Sequence, residues 1–394
     1  MRRVFVIGAG TMGHGIAEVA ALAGYEVYMY DISQDILNRA VERIKWSLEK
    51  LRERGRVSNV DEVLSRIRPT LNFEEGARNS DIAIEAVPEN LQLKREIFAK
   101  LDELMPEGAI LATNTSSLPI TEIAEAVRRR PNRVVGLHFF NPPVLMQLVE
   151  VVRGAATDDK TVEESLQFVK SLGKTPIVVN KDVPGFVVNR ILGAINNVAC
   201  HLVYRGEYTH VEIDSAVKYK AGLPMGLFEL RDFSGIDVGY MVAKALAERD
   251  PMFRQECPLI EEMYKKGWLG VKTGRGFYEY KSPTDRPSIP REAGERVDVV
   301  RVLAAGVNMA AWLLRNGIAT KEDIDTGVRL GLGYPKGILQ FADEWGIDKV
   351  VEELQYLYNK YGLVLAKPDE LLLKMVAEGK LGKKSGEGFY KYAS

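Results

Sequence analysis

Two cysteines, four histidines and a formal net charge of −1 across 394 residues mark what this sequence is short of. Cys200 and Cys257 have no C-x-x-C spacing, so neither a zinc ribbon nor a disulfide scaffold is expected, and a reducing cytoplasm is the default compartment. Lys and Arg number 53 against 54 Asp and Glu, so no long-range attraction draws the chain to nucleic acid or to an anionic membrane. No uninterrupted apolar run approaches the roughly 18 residues that span a bilayer. The opening Met1-Arg2-Arg3-Val4-Phe5-Val6-Ile7-Gly8 passes straight into a strand pattern, without an apolar segment and cleavage site before it. What remains is an ordinary soluble composition, 46% apolar and 27% charged. The length calls for two or three domains of roughly 100–200 residues each.

Arg3 to Ile7 is a short β-branched run of the kind that forms a buried parallel strand. It meets Gly8-Ala9-Gly10-Thr11-Met12-Gly13, after which Ile16, Ala17, Val19, Ala20 and Leu22 fall at helical spacing. A second strand, Glu26 to Tyr30, ends at Asp31. A lone G-x-G-x-x-G is weak, but here it has strand, helix and acidic residue in the required order. Gly8 permits the tight turn, Gly10 lets the backbone approach a pyrophosphate, and Gly13 permits close helix–strand packing. The N–H groups of Thr11, Met12 and their neighbours at the helix start face the phosphates. Asp31 would accept from both ribose hydroxyls and repel a 2′-phosphate, so the expected cofactor is NAD rather than NADP.

The alternation continues through strands at Asp81–Val87, Ala109–Thr113, Arg133–Leu137, Gln147–Val152 and Pro176–Asn180, with an amphipathic helix over Asn90–Leu104. Such a pattern implies an α/β Rossmann-type domain with a mostly parallel sheet. Ligands then sit beyond the carboxyl ends of the strands, which selects Glu89, Asn114 to Ser117, and His138. Of the other histidines, His14 reads as a helix residue, His201 as a packed one and His210 as a loop or helix start. Glu150 stands in the middle of the apolar run Leu148-Val149-Glu150-Val151-Val152, where a carboxylate needs a partner. His138 is the natural one. The pair suits general base catalysis, and a structural ion pair is the competing reading. No metal-ligand cluster is expected.

Four segments together resemble the L-3-hydroxyacyl-CoA dehydrogenases, over essentially the whole chain. They are Gly8 to Gly13, Asn114-Thr115-Ser116-Ser117, His138-Phe139-Phe140-Asn141-Pro142 and Pro184-Gly185-Phe186-Val187-Val188-Asn189-Arg190. The resemblance implies oxidation of (S)-3-hydroxyacyl-CoA to 3-oxoacyl-CoA with NAD. It implies that His138 and Glu150 are catalytic, with Ser117 and Asn189 on the reacting oxygen. It implies cofactor contacts from the glycine loop, Asp31, Glu89, Lys94, Ser117 and Asn141. Coenzyme A contacts match less well; Lys45, Lys50, Arg52, Arg54 and Arg56 are candidates, and a solvated helix face is the other reading. Related dehydrogenases of small free hydroxy acids, of the gulonate type, and non-catalytic NAD-binding crystallins are the alternatives.

The second half repeats itself. Asp214 and Asp325, Pro224 and Pro335, and Asp237 and Asp348 are each 111 residues apart, and Gly274-Arg275-Gly276-Phe277-Tyr278 matches Gly386-Glu387-Gly388-Phe389-Tyr390 at 112. Helical spacing runs through both copies. The expected division is residues 1–182 for the nucleotide-binding domain, 183–282 for the first helical copy and 293–394 for the second, with a proline-rich linker between the copies. At the same offset Val188-Asn189-Arg190 becomes Val299-Val300-Arg301, so the second copy is expected to keep packing and lose chemistry. It is expected to stand in for the partner through which one-copy members dimerise, giving a monomer, with a homodimer as the alternative. Two-copy members also occur fused to an enoyl-CoA hydratase domain, which makes such a domain or partner a further expectation.

Overall fold

The computed structural model describes residues 2–393, in two compact units divided between Phe186 and Val187. In the first unit, strand β1 (Arg3–Ile7) leads through helix α1 (Thr11–Leu22) to β2 (Glu26–Tyr30). Helices α2 (Gln34–Glu53) and α3 (Val60–Ser65), strand β3 (Ile67–Thr70) and helix α4 (Phe73–Arg78) follow. Then come β4 (Ile82–Glu85), α5 (Leu91–Leu104), β5 (Ile110–Thr113), α6 (Ile120–Ala124), β6 (Val134–Phe139), β7 (Leu148–Arg153), α7 (Asp159–Ser171) and β8 (Thr175–Val179). They build one eight-stranded sheet in the order β3-β2-β1-β4-β5-β6-β7-β8.

Every neighbouring pair is parallel except β6–β7, which is antiparallel. The central strands are apolar and buried along their length because helices cover both faces. The core runs from Val4, Val6 and Met29 through Ile82, Ile84 and Ala112 to Leu137 and Val149. Strand β3, Ile-Arg-Pro-Thr, was not expected from the sequence. It is an edge strand with two exposed residues, and its proline and short length carry no strand signal.

The second unit is helical. Helices α8 (Val188–Tyr204), α9 (His210–Tyr219), α10 (Leu227–Ser234), α11 (Ile236–Arg249) and α12 (Pro258–Lys265) form a first set. Helices α13 (Val299–Arg315), α14 (Lys321–Leu332), α15 (Ile338–Trp345), α16 (Ile347–Tyr361) and α17 (Glu370–Ala377) form a second. The sets share their wiring. Asp214 accepts the N–H groups of Phe228 and Glu229 and the Tyr278 hydroxyl, at 2.9, 2.9 and 2.8 Å. Asp325 likewise accepts from Leu339 N–H and the Tyr390 hydroxyl at 2.8 and 2.7 Å. Each aspartate thus ties the start of the third helix of its set to a later tyrosine.

Asp232 and Asp343 do the same for the loops at Phe277–Tyr278 and Phe389–Tyr390. The two sets pack chiefly through α8 against α13. At that crossing a Cβ on Gly306 would stand 2.7 Å from Ile195, and these two positions are equivalent, 111 residues apart. Gly222 approaches Pro335, and reciprocally Gly333 approaches Pro224. Equivalent groups meeting across one axis is the signature of an isologous contact.

Cys200 and Cys257 are joined by a disulfide that bridges α8 to the residue before α12. One bridge is not a scaffold, but it replaces the pair of reduced thiols expected for a reducing compartment. The bond escapes sequence reading because its 57-residue separation follows no short motif. No helix among the described residues is long and apolar enough to cross a membrane.

Candidate active site

The glycine loop is shaped by what its neighbours would meet. Gly8 has φ +101°, and a Cβ there would press to 2.6 Å on the Ala86 carbonyl. A Cβ on Gly13 would collide with the Gly8 carbonyl at 1.7 Å, so the first turn of α1 lies directly against the loop. At Gly10 the same atom would meet nothing within 4 Å, which leaves backbone open to an approaching pyrophosphate. Helix α1 starts at Thr11 and Met12 with no side-chain cap and no acidic residue in its first turn, so its dipole is not opposed by a fixed negative charge. The Asp31 carboxylate sits at the end of β2, accepting Ala9 N–H at 3.0 Å and Ile32 N–H at 2.8 Å. These residues fit NAD.

The loops after β4 and β5 meet beside it. Glu89 accepts from the Ser117 hydroxyl at 2.7 Å, Ser117 N–H at 3.2 Å and the Thr115 hydroxyl at 2.8 Å. Partial burial pushes the Glu89 carboxyl up, but the Lys94 charge and these donors outweigh it and hold it below the usual range. Lys94 is fully buried, 2.6 Å from Glu85 and 2.9 Å from Glu89, so its ammonium lies beneath Glu89 rather than at the surface. Glu85 also accepts the Thr113 hydroxyl at 2.6 Å and Val87 N–H at 2.8 Å. Sequence reading missed Glu85 and Thr113. The signal was a lysine on the apolar face of α5, with Ile97, Phe98 and Leu101, and a glutamate ending a buried strand.

His138 and Glu150 face each other directly across β6 and β7, as register partners. The His138 Nδ1 to Glu150 Oε1 distance is 2.8 Å, and both side chains are buried. His138 lies inside β6, not just beyond it as the shorter expected strand implied. A carboxylate at Nδ1 takes the Nδ1–H, which leaves Nε2 as the basic nitrogen. The ring packs edge-on against Phe186 at 5.7 Å and tilted on Phe140 at 4.7 Å. Phe186 has φ +51°, alone among the described non-glycine residues in being left-handed, which a bulky side chain adopts only when its surroundings hold it there. Asn114 accepts Phe139 N–H at 2.8 Å and ties the end of β6 to the loop after β5.

Because β1, β4, β5 and β6 run parallel, the glycine loop, Glu89, Ser117 and His138 share one edge of the sheet. Asn141 is exposed in the loop after β6, joined to Pro142 by a cis peptide. Asn189 belongs to the second unit, on the first turn of α8, half-buried. Lys45, Lys50 and Arg52 lie exposed on α2, and Arg54 and Arg56 in the turn after it. Among the described residues no cluster of His, Cys, Asp and Glu has the arrangement of a metal site.

A doubly covered sheet with this glycine loop, this acidic residue after β2 and an imidazole at the same edge defines an NAD-dependent dehydrogenase. Residues 3–183 match the family described as 3-hydroxyacyl-CoA dehydrogenase, NAD binding domain, and residues 185–280 and 299–392 each match its C-terminal domain. The chain belongs to the 3-hydroxyacyl-CoA dehydrogenase family. It is 43% identical over 288 residues to a probable 3-hydroxybutyryl-CoA dehydrogenase of Bacillus subtilis, covering 72% of this chain and 99% of that one. It is 41% identical over 291 residues to the mitochondrial hydroxyacyl-coenzyme A dehydrogenase of Sus scrofa, covering 71% of this chain and 92% of that one. The crystal structure of a 3-hydroxybutyryl-CoA dehydrogenase from Escherichia coli superposes with a TM-score of 0.88 at 29% identity, covering 96% of this chain and 98% of that chain.

Proposed function

We propose that this chain oxidises (S)-3-hydroxyacyl-CoA to 3-oxoacyl-CoA with NAD, reversibly, with His138 as general base. The observation that carries the reading is the buried 2.8 Å His138–Glu150 pair at the sheet edge that holds the glycine loop. Bound NAD supplies the hydride acceptor. His138 Nε2 takes the proton of the substrate's 3-hydroxyl, and Glu150 stabilises the imidazolium so formed. The hydroxyl of Ser117, oriented by its bond to Glu89, and the amide of Asn189 hold the substrate oxygen. Lys94 acts on the cofactor side through Glu89. Asn141 extends the nicotinamide contacts, and the exposed basic residues of α2 and its following turn serve the coenzyme A phosphates. The names of the relatives support the thioester class over free hydroxy acids.

The second set of helices is read as an internal duplicate that takes the place of a partner subunit, making the protein a monomer. The shared aspartate wiring and the reciprocal Gly222–Pro335 and Gly333–Pro224 approaches support this. Initial rates of NADH formation across (S)-3-hydroxyacyl-CoA chain lengths, beside free 3-hydroxybutyrate and gulonate, test the function. Turnover of the thioesters is expected; a preference for the free acids would overturn the reading.

A further inference from the structure

Arg190 is the largest side chain that the fold buries completely. It directly follows Asn189 on the first turn of α8. Its guanidinium lies 2.6 Å from Asp250 Oδ2, its Nε approaches the Met309 sulfur at 3.1 Å, and its Cζ stands over the Trp312 ring at 4.1 Å and the Phe253 ring at 5.2 Å. Burial pushes the guanidinium pKa down and Asp250 works against that, so the charge is retained where solvent does not reach it.

The clamp draws on three elements. Asp250 ends α11 and uses its other oxygen to accept Met252 N–H at 2.9 Å, which starts the short turn that places Phe253. Phe253 packs so near α8 that a Cβ on Gly193 would meet its ring at 3.3 Å. Further along, Asn197 and His201 of α8 hydrogen-bond to the Gln255 carbonyl, and Cys200 is bonded to Cys257. The segment Asp250–Cys257 is therefore fastened to α8 over three turns. The third element is α13 of the second set, which contributes Met309 and Trp312.

The start of α8 explains why such a clamp is useful. Its N-cap position is Val187, with no side-chain cap, whereas α13 begins at Asp298, whose carboxylate caps Val300 N–H at 2.9 Å. A first turn without a cap is free to fray unless packing fixes it. On α13 a cap does that work; on α8 an anchored arginine one residue from Asn189 does.

We propose that Arg190 is a positioning residue, held by Asp250 and by Met309 and Trp312 of the second set, which fixes Asn189 for the reaction. The second set, with valine where the first has Asn189, then contributes to turnover by bracing the helix that carries it. This rests on the proposed role of Asn189 at the substrate oxygen.

The test is a double-mutant cycle in the full chain, with (S)-3-hydroxybutyryl-CoA and NAD. Asp250→Asn keeps the capping oxygen and removes the charge; Trp312→Leu removes the ring from the other side. Each is expected to lower kcat about tenfold with the KM for NAD within about twofold, since a displacement of about 1 Å at a reacting group is costly. In an Asn189→Ala background the same changes should cost less than about twofold further, because the group they position is gone. A merely structural defect would lower both backgrounds equally, and that result overturns the proposal, as does wild-type kcat in both single variants. Should Asp250→Asn fail to fold, the Trp312→Leu cycle decides alone. Full turnover in Asn189→Ala overturns the inference at its root, while His138→Ala reports separately on the function itself.

Discussion

Val188-Asn189-Arg190 and Val299-Val300-Arg301 begin equivalent helices, yet the two turns are held by different means. In the first, an uncapped turn carries a polar residue and is anchored by the buried Arg190–Asp250 pair. In the second, Asp298 caps the turn, Val300 replaces the polar residue, and Arg301 pairs with Glu207 and Glu353 at 2.7 Å each. Glu207 belongs to the first set, so each arginine reaches across to the other. The difference separates what packing requires from what chemistry requires. The arginines, the aspartate hubs and the crossing at Ile195 and Gly306 recur or meet across the axis, whereas the asparagine does not.

The largest effect should come from removing one side of that comparison. Ending the chain at Lys281 uncovers α8 at Ile195, and the product is expected to dimerise or become insoluble. A soluble, active monomer by light scattering would contradict the internal-partner reading. Next is the disulfide, present in the first set only. Cys200→Ser should lower unfolding free energy by about 4 kcal/mol, the chain-entropy value for a loop of its 57-residue separation. Denaturant midpoints indifferent to the change and to reductant would show that the bond does not form in solution.

Making the first turn like the second should then cost chemistry rather than stability. Asn189→Val is expected to reduce kcat about a hundredfold, or about 2.7 kcal/mol. The smaller contrast lies in the hubs. Burial, with like charge from Glu229 adding to it, pushes the Asp214 carboxyl up to about 7, while Asp325 rises only to about 6 with Gln340 where Glu229 would stand. A carboxyl whose folded pKa exceeds its unfolded value gives stability that is full below about pH 4 and is lost as pH rises through 7. Glu229→Gln should therefore stabilise by about 1 kcal/mol at pH 8 and not at pH 5, where Asp214 is protonated in the fold. Equal shifts at both pH values in thermal unfolding would refute the coupling. Smallest of all, Val300→Asn should leave kcat within about twofold; a larger change would mean that the second set still touches chemistry.

Much of the nucleotide site is legible in the sequence because its requirements are local. A glycine loop between strand and helix, followed by an acidic residue, specifies backbone that a cofactor can approach. The His138–Glu150 pair is legible for another reason: a carboxylate inside an apolar strand demands a partner, and few histidines are available. Sequence periodicity does not say that β6 and β7 run antiparallel, which is what sets the two residues face to face. The Glu85–Lys94–Glu89 network stayed hidden because its carboxylates look like strand ends. The Arg190 clamp stayed hidden because its partners lie 60 to 122 residues away, at Asp250 and Trp312. Long-range pairing of that kind leaves no spacing to read.

The central claim is that His138 is the base of an NAD-dependent 3-hydroxyacyl-CoA dehydrogenase. Its most direct test is turnover of (S)-3-hydroxybutyryl-CoA by His138→Ala, with NADH affinity measured on the same preparation by fluorescence titration. A loss of about a thousandfold or more in kcat with NADH affinity unchanged is the predicted result, in the upper range for removing a general base. Near-normal turnover in that variant would contradict it.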